Sequence, residues 1–293
     1  MHQGAYHQPV MTDRVVEGLA VRPGGAYIDC TLGDAGHATA ILEAAAPSGR
    51  LLGIDADPEA TAAARDRLAP YGAAVTVVDG NFRALESLAA AHGFVPADGV
   101  LFDLGISSRQ LDAEERGFSF RRPGPLDMRF TPGEGPSAAD LVNTLGESEL
   151  ADLIYRFGEE PRSRRIARAI VAARPIDDAM KLADVVRRGS GYPRGRTHPA
   201  TRTFQALRIA VNDEMASLEA GLEQAPLVLG PGGRLVVIAY HSLEDRRVKR
   251  FMRAGPMRPL SKKVTKPSAD EIEANRRSRS ARLRVAERPE EGP

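Results

Sequence analysis

The first hundred residues alternate between short unbroken apolar runs and longer stretches in which apolar side chains recur every three or four positions. The first kind predicts buried strands at 27–31, 50–55, 74–79 and 99–105. The second predicts helices at 38–46, 57–68 and 84–92, after an N-terminal helical segment bearing Val15, Val16 and Leu19. The punctuation agrees: Arg22-Pro23-Gly24-Gly25 marks a turn, and Asp57-Pro58 supplies an N-cap and a first-turn proline. Strands and helices in this alternation predict an α/β fold with a doubly wound, parallel, Rossmann-like sheet, whose ligands lie at the carboxyl ends of the strands.

The periodicity then changes. From 113 to 199 strand-like runs vanish and Gly/Pro-rich loops appear at 122–125 and 131–136. Leu150, Leu153, Ile154 and Phe157 mark the apolar face of one helix; Ile166, Ala169, Ile170 and Ala173 mark that of another. A long helix with Pro199 in its first turn follows, carrying Phe204, Leu207, Val211, Met215, Leu218 and Leu222. Residues 229–233 read as a turn, 234–240 as a fifth core strand and 246–252 as a helix, and the alternation over 280–286 predicts a half-exposed antiparallel edge strand. The basic, Pro-containing linker at 255–279 reads as partly disordered. The expected organisation is a discontinuous α/β domain, 1–112 with 200–293, interrupted by an inserted helical domain at 113–199.

Composition narrows the classes. With 42% hydrophobic and 27% charged residues the chain is an ordinary soluble protein, no apolar run approaches a membrane span, and residues 1–10 lack the apolar centre of a signal peptide. A cytoplasmic protein with no membrane partner is expected. The single cysteine, Cys30, excludes an intrachain disulfide and, inside an apolar strand, predicts a buried inert thiol. Six histidines without metal-ligand spacing predict no metal site. The net charge of +1 favours no partner, but from 246 to 288 there are 15 Lys/Arg against 4 Asp/Glu, which suits a polyanion. The absence of Trp argues against an RNA module built on exposed stacking rings. A homodimer is compatible with the sequence, which does not fix the oligomeric state.

The stretch 27–37 runs from a strand through a small-residue turn into a helix, the architecture of a cofactor cradle. Gly33 and Gly36 would let the backbone approach a ligand, and the helix behind them offers free N–H groups. Asp55, roughly twenty residues further on at a strand end, is placed to accept hydrogen bonds from ribose hydroxyls. With Asp29, Asp79 and Asp103 it makes four acids at the ends of four successive predicted strands. The turn Gly33-Asp34-Ala35-Gly36 lacks the third glycine of a dinucleotide fingerprint and puts an acid where a pyrophosphate would approach. Asp29, Asp34 and Asp55 would repel an anion but not a cationic sulfonium. S-adenosyl-L-methionine fits, with its ribose on Asp55 and its adenine against Phe82, a residue that reads equally as core.

Longer motifs complete the set: His7-Gln8-Pro9-Val10, residues 29–37, Asp103-Leu104-Gly105-Ile106-Ser107-Ser108-Arg109-Gln110-Leu111-Asp112, Glu115-Arg116-Gly117-Phe118-Ser119-Phe120 and Gly124-Pro125-Leu126-Asp127-Met128-Arg129. They continue through residues 165–170, His198-Pro199-Ala200-Thr201-Arg202-Thr203-Phe204-Gln205 and His241-Ser242-Leu243-Glu244-Asp245-Arg246. In these motifs, over nearly its whole length, the chain resembles the bacterial 16S rRNA cytosine-N4 methyltransferases, the RsmH or MraW family. Ala35 departs from the glycine usual there, and Arg109 from a common proline. The resemblance implies cofactor contacts at Ala35, Gly36, His37, Asp55, Phe82, Asp103 and Gln110. It also implies the substrate, a decoding-centre (P-site) cytidine of 16S rRNA in the small ribosomal subunit, with the helical insert helping to hold the RNA.

Cytosine N4 is a poor nucleophile because its lone pair is delocalised, so catalysis would rest on alignment and on acceptors for the amine hydrogens. Asp103, Ser107 and Ser108 are the candidate catalytic residues; Asp103 reads alternatively as wholly engaged with cofactor. His241 reads as a substrate contact or an N-cap. Arg129, Arg202 and the pair Arg164 and Arg168, one helical turn apart, read as phosphate contacts or as a solvated face. Two rivals stand beside this function. A DNA amino-methyltransferase would want an Asn/Asp-Pro-Pro-aromatic motif after the fourth strand, which is missing. A non-catalytic RNA-binding or assembly factor on the same fold is opposed by the near-complete cradle.

Overall fold

The computed structural model describes residues 9–191 and 198–290. Seven strands form one sheet: β1 (Ala26–Asp29), β2 (Arg50–Asp55), β3 (Val75–Asp79), β4 (Ala97–Asp103), β5 (Leu229–Ala239), β6 (Arg258–Pro259) and β7 (Arg282–Glu287). Their order is β3-β2-β1-β4-β5-β7-β6. Strands β1 to β5 are parallel, and β7 runs antiparallel to both β5 and β6. The doubly wound sheet expected from the alternation is therefore present.

The two-residue period of a strand explains why its apolar runs are unbroken. Ile28, Leu52, Val100, Phe102 and Val237 point to one face, where Leu85, Leu222 and Val248 cover them. Tyr27, Leu51, Leu101, Val236 and Ile238 point to the other, against Val15, Ile41 and Leu68. Both faces are dry along these stretches, so the central positions of 26–28, 51–54, 99–102 and 235–239 are apolar or glycine, and charge returns where the strands meet the sheet edge. The helix Pro58–Leu68 starts as expected, with Asp57 Oδ1 accepting from Glu59 N at 3.0 Å.

By packing, the chain divides into two compact units, one running up to Gly105 and resuming at Ala216, the other Ile106–Met215. The expected boundaries at 112/113 and 199/200 are corrected by this division. Ile106, Phe204, Leu207 and Val211 pack with Phe118, Ile154 and Ile170 in the core of the second unit, so 106–112 and 200–215 go with the helices. The long helix expected after Pro199 is two helices, Thr201–Val211 and Glu214–Val228: Asn212 caps the first, its side chain bonding Phe130 N and Met128 O, and Asp213 takes φ 47°.

Three further expectations change. The turn at 229–233 lies inside β5: Ala97 pairs with Leu229 but Gly99 with Arg234, so the intervening residues bulge. Segment 255–279 is not structureless, since Met257 is buried, Thr265 pairs with Leu283 and Ala269–Ala274 is helical. Finally, β7 is not the edge, because Arg258 and Pro259 pair along its outer side.

Candidate active site

Four neighbouring parallel strands each end on aspartate: β3 on Asp79, β2 on Asp55, β1 on Asp29 and β4 on Asp103. The chain leaves β1 toward β2 and β3 and comes back on the other side at β4, so Asp29 and Asp103 flank the switch point where such sheets bind ligands.

The four acids are held differently. Asp29 is 1% exposed and accepts from Thr31 N at 3.1 Å; burial pushes its carboxyl up from 3.8 to about 6, against the pull of His37. Asp55 accepts Gly33 N at 2.8 Å and Asp57 N at 2.9 Å, and burial likewise raises it to about 6. Asp79 is exposed and turned outward to the Thr61 hydroxyl and Arg65, which hold it below the usual carboxylate range. Asp103 donates its backbone N–H to Thr31 Oγ1 at 2.6 Å. Its Oδ1 accepts the Tyr240 hydroxyl at 2.8 Å, and its Oδ2 lies 3.5 Å from His37 Nδ1. Burial, reinforced by Asp103, pushes the Tyr240 phenol well above its ordinary range, so it remains a donor.

Between β1 and the helix Gly36–Ala45 the turn takes left-handed backbone at Gly33 (φ 50°) and at Ala35 (φ 59°). A Cβ on Gly33 would meet nothing nearer than Thr31 O at 3.9 Å, so the cradle is open on that side. Gly36 also makes room within the protein: a Cβ there would stand 2.9 Å from the Pro9 ring, so its missing side chain seats the N-terminal segment. His37 is buried and its Nε2 lies 2.8 Å from Val10 O. Half-buried Phe82 meets Phe102 edge-on, with centroids 5.3 Å apart, and is part of the sheet core while keeping surface of its own. Cys30 is buried and its thiol is pushed well up by burial, the inert state expected.

An open glycine turn, a half-buried ring and a row of carboxylates fit a cationic, phosphate-free nucleoside better than a pyrophosphate. Desolvated Asp29 and Asp55 gain from a positive charge and would lose by a negative one.

The remaining expected site residues are engaged as follows. In the second unit Ser107 caps the helix Ser108–Asp112: its Oγ accepts Gln110 N, and buried Gln110 returns Oε1 to Ser107 N. Half-buried Ser108 opens that helix. Arg129 grips Asp127 with Nε and Nη2. Arg164 and Arg168 are exposed on the helix Ser163–Ala172, Arg168 within 3.4 Å of Glu147. Arg202 donates to Glu159 O and lies 3.7 Å from buried Glu160. In the first unit His241 is the N-cap of the helix Ser242–Ala254, its Nδ1 accepting Glu244 N, so the capping reading describes what it does here. His7 and Gln8 lie outside the described residues. Thr31 and Tyr240 were not singled out as site residues from sequence, although both touch Asp103.

A mixed sheet in this order, with an antiparallel strand beyond β5 and an acid-lined switch point, defines a Rossmann-like methyltransferase. The chain belongs to the MraW methylase family, whose sequence profile matches residues 4–289. Among its relatives, a protein of Thermomicrobium roseum named ribosomal RNA small subunit methyltransferase H is 53% identical over 96% of this chain and 93% of its own length. One of Dehalococcoides mccartyi with the same name is 51% identical, covering 96% of this chain and 86% of that protein. A third, of Cyanothece sp., is 50% identical over 96% and 94%.

Proposed function

We propose that the chain methylates the exocyclic N4 of the decoding-centre (P-site) cytidine of 16S rRNA in the small ribosomal subunit, with S-adenosyl-L-methionine as methyl donor. The observation that carries the reading is the row of strand-end acids at the switch point, with Asp103 held at its β4 end by Thr31 and Tyr240. When bound, S-adenosylmethionine supplies an activated methyl group on a positively charged sulfur. In the first unit Gly33 to His37, Asp55 and Phe82 hold it: the open turn admits the ligand, Asp55 accepts ribose hydroxyls and Phe82 offers a ring face.

The protein's part in the reaction is alignment and charge. Asp103 accepts a hydrogen bond from the target amine and so leaves more electron density on N4 for the methyl group it receives. The surplus N4 proton leaves after the methyl group has arrived. A base must be unstacked to reach such a cradle, and exposed Arg164, Arg168, Lys249, Arg250 and Arg253 supply phosphate contacts for the strand that carries it. The enzyme works in the cytoplasm, where its substrate is. Among the described residues no helix is long and apolar enough to cross a membrane.

Undermethylated small subunits incubated with labelled methyl donor should yield N4-methylcytidine on digestion of their rRNA. Label recovered in another nucleoside, or none, would overturn the assignment.

A further inference from the structure

We propose that Tyr240 and His37 are positioning residues that clamp the two carboxylate oxygens of Asp103 and fix their orientation before any ligand arrives. The inference rests on the methyl-transfer reading only for its effect on turnover.

Donor counting carries it. A carbonyl oxygen can only accept, so the 2.8 Å contact with Val10 O puts a ring proton of His37 on Nε2. The ring's other nitrogen, Nδ1, then faces Asp103 Oδ2 at 3.5 Å inside a site where His37 is 5% exposed. The clamp takes Nδ1 as the donor to Oδ2 on this side. On the other side, Oδ1 takes the Tyr240 hydroxyl at 2.8 Å, and that hydroxyl keeps its proton because burial and then Asp103, with Glu244 and Glu271 beyond, oppose its ionisation. The Asp103 backbone is fixed as well, through Thr31 Oγ1.

These contacts come from four separate places: the turn after β1, the helix Gly36–Ala45, the end of β4 and the residue after β5. A carboxylate held at both oxygens cannot rotate, so its remaining acceptor directions are set by the fold. The charged and titratable groups around it are Asp29 with Asp55 beside it, His37, Tyr240, and Glu244 and Glu271 on the Tyr240 side. The acids oppose the charge on Asp103, and the two donors answer them.

The test uses Tyr240→Phe, which removes a hydroxyl and little volume, and Asp103→Asn. On cofactor-free protein with nitrogen-15 histidine, His37 of the wild type should show both ring nitrogens bonded at pH 7, and Asp103→Asn should abolish the Nδ1 partner while Nε2–H persists. In turnover assays Tyr240→Phe should lower kcat about tenfold, with the KM for methyl donor changed less than about twofold, and move the acid limb of the kcat profile up by about half a unit. Unchanged circular dichroism in Tyr240→Phe separates positioning from misfolding. A His37 ring indifferent to Asp103→Asn, or a Tyr240→Phe acid limb that coincides with wild type, would overturn the clamp. If wild type transfers no methyl group to subunits, the substrate reading fails, and the clamp is then judged by the histidine spectra alone.

Discussion

The backbone N–H of Asp103 donates to Thr31 Oγ1 at 2.6 Å, tying the end of β4 to the turn after β1 across the switch point of the sheet. Thr31 also sends its own backbone N–H to Asp29, so one residue, through its side chain and its main chain, holds two of the four edge acids in place. Thr31→Val keeps the shape but leaves the Asp103 N–H unpaired, at a cost of about 1–3 kcal/mol. Thr31→Ser retains the acceptor and should stay within about 1 kcal/mol of wild type. Urea midpoints of the three proteins test this, and methyl transfer by Thr31→Val should fall by more than its lost stability accounts for.

Asp29 makes the cofactor-free protein sensitive to pH in an unusual direction for an acid. Its folded-state carboxyl, raised from 3.8 to about 6 by burial, lies above its unfolded value. The stabilisation is therefore complete below about pH 4 and is lost as pH rises through about 6. A shift of this size corresponds to roughly 3 kcal/mol as an upper scale. Asp29→Asn should remove its share of the slope, leaving the similar share of Asp55, which burial also raises to about 6, and be more stable than wild type at pH 7.5 by about 1–3 kcal/mol. Asp127 and Asp245, held low by Arg129 and Arg284, lose their stabilisation only at more acid pH, so they do not mask the effect. Chemical denaturation between pH 4 and 8 decides the point, and methyl-donor affinity should rise through the same window as the edge becomes anionic.

Much of this site can be read in the sequence because dry strands must be apolar until they end, and the first polar residue then reports the edge. That logic located Asp29, Asp55, Asp79 and Asp103, and Asp57-Pro58 announced its helix by capping chemistry alone. What it could not show is which edge acids face inward. Asp79 reads like the others, yet Arg65 and Thr61 on the preceding helix Pro58–Leu68 turn it outward. Tyr240 was missed because its partner is 137 residues away, although a hydroxyl-bearing ring at the end of a core strand was a usable signal. Apolar periodicity likewise ran through Asn212, whose side chain ends one helix by satisfying the backbone of Met128 and Phe130. His241 had the right neighbours for a cap, Glu standing three residues on, and the reciprocal bonds are there.

Gly33 and Ala35 share a backbone conformation that only one of them adopts without strain. At φ 50° a side chain on Gly33 carries a left-handed penalty of about 1–2 kcal/mol and projects into open cradle. Gly33→Ala should lose that stability and bind methyl donor about tenfold more weakly, because the added carbon stands where the ligand needs backbone. Ala35 already bears the strain and its methyl is fully buried, so Ala35→Gly exchanges relief for a small hole and should move stability by less than about 1 kcal/mol. Calorimetric titration with S-adenosylmethionine and thermal melts distinguish the two positions.

Exposed cations differ in whether they are available to a polyanion. Lys249, Arg250 and Arg253 are exposed on the helix Ser242–Ala254, within the basic final segment, whereas Arg129 is committed to Asp127 through two nitrogens. Each phosphate contact removed should flatten the slope of log affinity against log salt by about 0.7 on single-stranded RNA. Replacing Lys249, Arg250 and Arg253 together with Gln should therefore flatten it by about two units while methyl-donor affinity stays at wild type. Arg129→Gln should leave the slope unchanged and instead destabilise the protein, since the Asp127 carboxylate, 25% exposed, loses its partner. Binding of an rRNA fragment at several salt concentrations would reverse this assignment if the triple variant kept the wild-type slope and Arg129→Gln lost it.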